Sequence, residues 1–351
     1  MQNLITDAAQ EIEDEPAGAT SRQLIVPAGA SGRLDKVLAE LMADISRSRL
    51  RQWIDAGAVT VNDEVLRARD AVGPGDVIVV QPQDSAQAQA FAPQAMPLEV
   101  VFEDESILVL NKPAGLVVHP APGHWSGTLV NGLLAYDARL AQVPRAGIVH
   151  RLDADTSGLM VVARSLQAHA SLVAQLQARS VSREYWAVVY GHTSPEGTID
   201  AAIGRDPRNP LRFSTRRGPA GPGAKEARTH WRALAHTEHG GLKFSWLACR
   251  LETGRTHQIR VHLESIRHPL VGDPLYHRYR PTQGDALAFE RQALHAARLG
   301  LEHPVSGEAL CWSVLPPADM RALMRALGFK LPRRVISAFT TSAAFAAFEE
   351  R

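Results

Sequence analysis

The segment richest in chemistry is HRLDADTSGL (His150–Leu159), where the Asp153 carboxylate stands among turn-forming residues. Asp, Thr and Ser side chains cap backbone amides and Gly158 permits a left-handed step before a strand, so an isolated DxDTSG is ordinarily structural. Other segments give it a chemical reading. In REYWAVVYG (Arg183–Gly191), strand alternation puts Tyr185, Ala187 and Val189 on one face and Glu184, Trp186, Val188 and Tyr190 on the other. In LETGRTHQIRVHL (Leu251–Leu263), Thr256 is expected to cap a helix that turns Ile259, Leu263 and Ile266 inward. Arg255, His257, Arg260 and His262 crowd that short element. With no clustered acidic partner nearby in sequence, they suit a phosphate-facing or carboxylate-pairing surface. In LNKPAGLVVHP (Leu110–Pro120), Lys112 stands at a strand end and takes no role from the sequence alone.

Several chemistries drop out. His257 and His262 are not spaced i,i+4, and His119, His124 and His150 lack a neighbouring Cys or carboxylate pattern, so no metal site is expected. The chain has neither GK[ST] nor a GxSxG elbow, and GPAGPG (Gly218–Gly223) reads as a loop, so no nucleotide or other cofactor is expected. A lone carboxylate, an aromatic ring and guanidinium groups remain, a set suited to sugar or base chemistry.

The elements that must hold these groups are spread over 351 residues, enough for two or three domains. Net charge is +1, but residues 1–20 hold five acids and no Lys or Arg, which leaves a body of +6. We read 1–20 as a disordered acidic tail. Residues 21–82 form a small unit. RLDKVLAELMADI (Arg33–Ile45) places Leu34, Val37, Leu38 and Leu41 on one helical stripe, and a second helix starts at Ser46 and stops at Gly57. AVTVND and DVIVV follow as short strands around the turn Pro74–Asp76. Residues 83–97, rich in Gln, Ala and Pro, read as a linker. Residues 98–330 mix strands at 107–113, 158–163, 183–191 and 243–252 with helical patterns at 166–179, 256–266 and 317–328, without βαβ alternation. The fold class is therefore α+β. Residues 331–351 are a C-terminal extension without an assigned role. Cys249 and Cys311 make no disulfide framework, no apolar run suits a bilayer, and the acidic N-terminus is unlike a signal peptide. A cytoplasmic protein with no membrane partner is expected.

Taken together, the segments resemble the RluA/RluD family of pseudouridine synthases. HRLDADTSGL fits its HRLDxDTSG motif, REYWAVVYG its basic-x-Tyr strand and GRTHQIRVHL its third motif. LNKPAGLVVHP, HPLVGDPLY (His268–Tyr276) and RQALHA (Arg291–Ala296) match further family segments in the same order. HPAPGHWSGTLVNGLL and VPRAGIVHRLD are closest to the RluD-type subgroup, which modifies uridines in a stem–loop of large-subunit ribosomal RNA. The unit at 21–82 resembles an S4 RNA-binding domain through RLDKVL, SRSRLRQWIDAGAVTVN and PGD, with Arg47, Arg49 and Arg51 placed for phosphate contacts.

The resemblance implies a mixed, mainly antiparallel central sheet with a cleft, and a monomer acting on structured RNA. It makes Asp153 the catalytic carboxylate and Arg260 the paired arginine that keeps it ionised and oriented. Tyr185 would stack on uracil and could assist proton removal from C5. Arg151 would fill the space of a flipped nucleotide, with His150, Arg255 and His257 as further substrate-binding residues and Asp155 and Thr156 as supports. Ester and glycal routes stay open. So do three competing readings, a catalytically silent RNA-binding or ribosome-assembly factor, a pseudouridine synthase acting on another RNA, and a nucleoside glycosidase using Asp153.

Overall fold

A computed structural model describes residues 21–43, 45–81, 88–121, 124–215, 223–281, 287 and 289–335. The expected acidic tail and residues 336–351 lie outside them. The chain divides into two units, between Gln89 and Ala90.

In the first unit, β1 (Arg22–Ile25) and β2 (Gly32–Arg33) precede α1 (Leu34–Leu41) and α2 (Arg47–Asp55), and β3 (Val59–Val61), β4 (Ala71–Val72) and β5 (Val77–Val80) follow. The expected stripe buries Leu34, Val37 and Leu38 against Leu50, Trp53 and Ile54 of α2 in one apolar cluster. Helix α2 stops where Gly57 takes φ +73°, the left-handed value that a Cβ would penalise. The two strands read from sequence do pair, but β5 lies between β3 and the unforeseen β1 in an antiparallel sheet. Arg47 is exposed, and Arg51 lies 3.7 Å from Asp55 at i,i+4 with both side chains mostly in solvent. The side chain of Arg49 lies outside the described residues.

The second unit begins inside the stretch read as a linker. A turn of 3-10 helix (Ala88–Phe91) leads to backbone that is tied down. Asn131 Nδ2 donates to the Ala90 and Ala92 carbonyls at 3.2 and 2.9 Å, and Gly127 N–H donates to Gln94 Oε1 at 2.8 Å.

Next come β6 (Val100–Glu103), β7 (Ile107–Lys112), α3 (Leu129–Tyr136), β8 (Ser157–Ala163), α4 (Leu166–Gln177) and β9 (Ser182–Tyr190). They are followed by β10 (Glu196–Asp200), β11 (Ile203–Asp206), β12 (Asn209–Thr215), β13 (Arg228–His239), β14 (Leu242–Leu251) and α5 (Gln258–Ser265). The last are β15 (Leu294–Glu302), β16 (Ala309–Ser313) and α6 (Ala318–Ala326). Among the described residues, nine strands build one sheet in the order β10-β13-β14-β9-β15-β8-β7-β6, with β16 also on β15. Every pairing is antiparallel except β15 with β8, so the fold is α+β with a mixed, mainly antiparallel sheet. Strand β9 divides as its alternation requires. Tyr185, Ala187 and Val189 join the core that covers one face, and Trp186, Val188 and Tyr190 join the cluster on the other.

No helix among the described residues is long and apolar enough to cross a membrane.

Candidate active site

Asp153 lies in the loop leading into β8, and the sequence around it explains why the loop keeps one shape. Gly158 has φ +113°, and a Cβ there would stand 2.2 Å from the Ala296 carbonyl of β15. Only glycine lets that backbone approach. Gln292 Nε2 donates to Thr156 Oγ1 at 3.1 Å, and Arg291 Nη1 donates to the Asp155 carbonyl at 3.0 Å. On the other side, the buried Lys112 ammonium at the end of β7 donates to the carbonyls of Pro113, Leu116 and Ala154 at 2.7, 2.9 and 2.7 Å. Burial pulls Lys112 down to about 7, while the charges of Asp155 and then Asp153 hold it up. The sequence assigned Lys112 no role. In the structure it clamps the residue next to Asp153.

Arg260, 107 residues further along, donates from Nη1 to Asp153 Oδ2 at 3.0 Å. Its Nε and Nη2 grip Asp273 Oδ2 and Oδ1 at 2.7 and 2.9 Å. Asp273 is itself oriented by the amides of Leu275 and Tyr276, each at 2.9 Å from Oδ1. Burial disfavours the Arg260 cation, but Asp273 and then Asp153 outweigh it and raise its pKa. The carboxylate partners that sequence proximity did not offer are supplied by tertiary structure.

The helix carrying Arg260 does not start as expected. Its N-cap is His257, with φ 57° and no side-chain cap hydrogen bond, and Thr256 does not fill that role. The Gln258 side chain ties down the turn ahead of the helix instead: its Oε1 accepts from the Arg255 amide at 3.0 Å and from Thr253 Oγ1 at 2.7 Å. His262 is not part of a cationic surface either. It is buried, with Nδ1 2.9 Å from Thr229 Oγ1 and Nε2 3.0 Å from the Ala201 carbonyl, and burial lowers its pKa.

These groups open onto a cleft of about 910 Å³ whose lining includes Asp153, Tyr185, Arg260, Arg151, Arg255 and His257. Tyr185 is 6% exposed, and burial pushes its phenol up while Arg183 pulls it back, which leaves a neutral hydroxyl at pH 7. Arg151 is exposed on the rim. Arg255, also exposed, donates from Nε to the Glu226 carbonyl at 3.0 Å. His150 lines the wall and is engaged by the scaffold, since its Nε2 accepts from the Val161 amide at 3.1 Å. Asp273 and Tyr276 escaped the sequence reading, although both fall within HPLVGDPLY.

Three neutral histidines of the second unit give a pH prediction. Burial is the main cause that lowers His119 to about 4, His150 to about 3 and His295 to about 4, against the ordinary 6.5. The unfolded chain therefore binds more protons than the folded one once pH falls below about 6.5, and stability is lost as pH drops toward these values. At pH 5 the cost is about 2 kcal/mol for each ring. Thermal melting should fall clearly between pH 7 and pH 5, and an unchanged midpoint would contradict this account.

Comparison with known proteins shows the family of the chain. Residues 106–265 match the RNA pseudouridylate synthase family, and residues 32–78 match the S4 domain. Ribosomal large subunit pseudouridine synthase D of Neisseria meningitidis serogroup B is 47% identical over 340 residues, covering 93% of this chain and 89% of that protein. The chain belongs to the RNA pseudouridine synthases. A second relative of that name, from Xanthomonas campestris pv. campestris, is 49% identical over 326 residues, 89% of this chain and 94% of its own length. The solved structure titled Human RNA Pseudouridylate Synthase Domain Containing 4 shares the fold, with a TM-score of 0.53 at 20% identity over 67% of this chain and 95% of that one. The stretch matching the pseudouridine synthase family spans Asp153, Tyr185 and Arg260 and stops short of Asp273 and Tyr276.

Proposed function

We propose that this pseudouridine synthase isomerises specific uridines of large-subunit ribosomal RNA, at the stem–loop sites of the RluD type, with Asp153 as the reacting carboxylate. The observation that carries the reading is the Asp153–Arg260 pair, made across 107 residues, in a cleft that Tyr185 also lines. Arg260 engages Oδ2, so Oδ1 is the oxygen turned toward a bound nucleotide. Both large-subunit relatives above align along most of their length, which supports the choice of RNA.

The reaction breaks the N1–C1′ bond, forms a C5–C1′ bond and moves one proton from C5 to N1. Atoms and electrons balance without an oxidant, a nucleotide or a second substrate. Asp153 either adds to a carbon of the nucleotide or removes a proton from it. Tyr185 enters as a neutral phenol, which favours stacking on the uracil over acting as the base that takes the C5 proton. His150, Arg255 and His257 border the nucleotide, and exposed Arg151 fills the place of the flipped base. Arg255 on the rim, with Arg47 and Arg51 on the exposed side of α2, supplies phosphate contacts whose strength falls with salt. The Asp153–Arg260–Tyr185 set is complete within one chain, in keeping with a monomer. The same reading places the enzyme in the cytoplasm.

The test is tritium release from a large-subunit rRNA stem–loop transcript carrying [5-³H]uridine, with mass analysis of the digested RNA. The expected result is tritium in water and a modified nucleoside of unchanged mass. Free labelled uracil would indicate a glycosidase instead, and no release from the stem–loop would overturn the substrate assignment.

A further inference from the structure

Tyr276 is fully buried against His257 and Arg260, the two residues whose side chains approach Asp153. Its hydroxyl oxygen accepts from the Phe213 amide at 2.9 Å and lies 2.8 Å from His257 Nδ1. A phenol has one hydrogen and one strong in-plane lone pair. Phe213 takes the lone pair, so the hydrogen is directed to Nδ1. The ring packs against two guanidinium groups, with Arg260 at 5.0 Å and Arg212 at 4.9 Å from its centroid. Arg212 is anchored in turn by Glu264 at 2.7 Å.

His257 sits at the left-handed N-cap of α5, with Nε2 3.9 Å from Asp153 Oδ1. That gap is too long for a hydrogen bond, and it lies next to the oxygen that Arg260 does not engage. An imidazole accepting at Nδ1 carries its proton on Nε2, so it presents an N–H donor to an oxygen of a nucleotide placed over Asp153.

We infer that Tyr276 is a positioning residue for uridine isomerisation, its hydroxyl holding His257 as the tautomer whose Nε2–H faces Asp153. The inference rests on Asp153 being the reacting carboxylate, as proposed above. It adds a residue outside the stretch that matches the synthase family. The charged groups that bear on the imidazole are Asp153, Arg260, Asp273 and Arg151, and burial is the largest influence, disfavouring the cation. A donor at Nδ1 stabilises the neutral ring further. Without that hydroxyl, His257 accepts a proton at higher pH and places a cation against Asp153.

Two measurements test this on the full chain. With [¹⁵N]histidine labelling, and His257→Gln to assign the signals, long-range ¹⁵N–¹H spectra should show His257 with Nδ1 unprotonated and Nε2 protonated at pH 7. The proton on Nδ1 would overturn the inference, and this arm depends neither on Tyr276→Phe nor on an active substrate. In Tyr276→Phe, which keeps the ring between Arg260 and Arg212, kcat should fall about tenfold at pH 6 and recover toward pH 8. KM should stay within about twofold, and the His257 titration midpoint should move up. An equal loss at every pH, or an unmoved midpoint, would mean that Tyr276 only fills space. If the wild type releases no tritium from large-subunit RNA while the tautomer is as stated, the substrate reading fails and the positioning role of Tyr276 stands.

Discussion

Asp153→Asn should lower kcat on the order of 10⁴-fold, as expected for removal of a group that acts in the reaction itself, while leaving the fold intact. Asparagine has the same shape and still offers an oxygen to Arg260 Nη1. It is a far weaker nucleophile and base than a carboxylate. The structure explains why the substitution should be tolerated: Arg260 keeps its double hydrogen bond to Asp273 at 2.7 and 2.9 Å, so no buried charge is left alone. Asp153 is itself 19% exposed, whereas Asp273 is fully buried, which limits the cost to about 1 kcal/mol. RNA affinity should hold, because the exposed arginines of the rim are untouched. Filter binding and tritium release, measured on one preparation, separate the two effects. A variant within tenfold of wild type would remove Asp153 from the chemistry.

The second large effect is on stability. Arg260→Met removes both side-chain hydrogen bonds of the Asp273 carboxylate, whose side chain has no exposure to solvent. Breaking one partner out of a buried pair costs about 3–5 kcal/mol because the remaining charge is uncompensated. At roughly 2–4 °C per kcal/mol, the melting midpoint should drop by about 10 °C. Arg260→Lys should lie between Arg260→Met and the wild type, since one ammonium cannot grip Asp273 through two nitrogens while a third reaches Asp153. Removing the acid as well, in Arg260→Met/Asp273→Asn, should cost less than the two single changes added together. Thermal melting of the four variants checks this, and an Arg260→Met midpoint equal to wild type would contradict the described network. Activity should fall with Arg260→Met as well, because Asp153 loses its anchor.

Some of this could be read along the chain and some could not, for physical reasons. The partition of β9 followed from alternation alone, since a strand buried on both sides sends successive side chains to opposite cores. The stripe of α1 was equally local. The Asp153–Arg260 pair reached the sequence reading only through motif resemblance, because nothing local encodes a contact across 107 residues. The place of β15 between β9 and β8 was hidden for the same reason. Asp273 stood in view inside HPLVGDPLY, but an Asp that folds onto its own backbone looks like any turn until its second oxygen finds a distant arginine. The reading of four potential cations in the third motif failed at His262, whose charge state is set by burial, which spacing does not report. The expected Thr256 cap failed because the chain enters α5 through His257 in a left-handed conformation, which spacing does not report.

The most direct test of the central claim is carbodiimide primer extension on large-subunit rRNA from cells lacking this protein, complemented with wild type or Asp153→Asn. The account predicts that defined pseudouridine stops vanish in the deletion strain, return with wild type and stay absent with Asp153→Asn. Stops that persist in the deletion strain, or that Asp153→Asn restores in full, would contradict it.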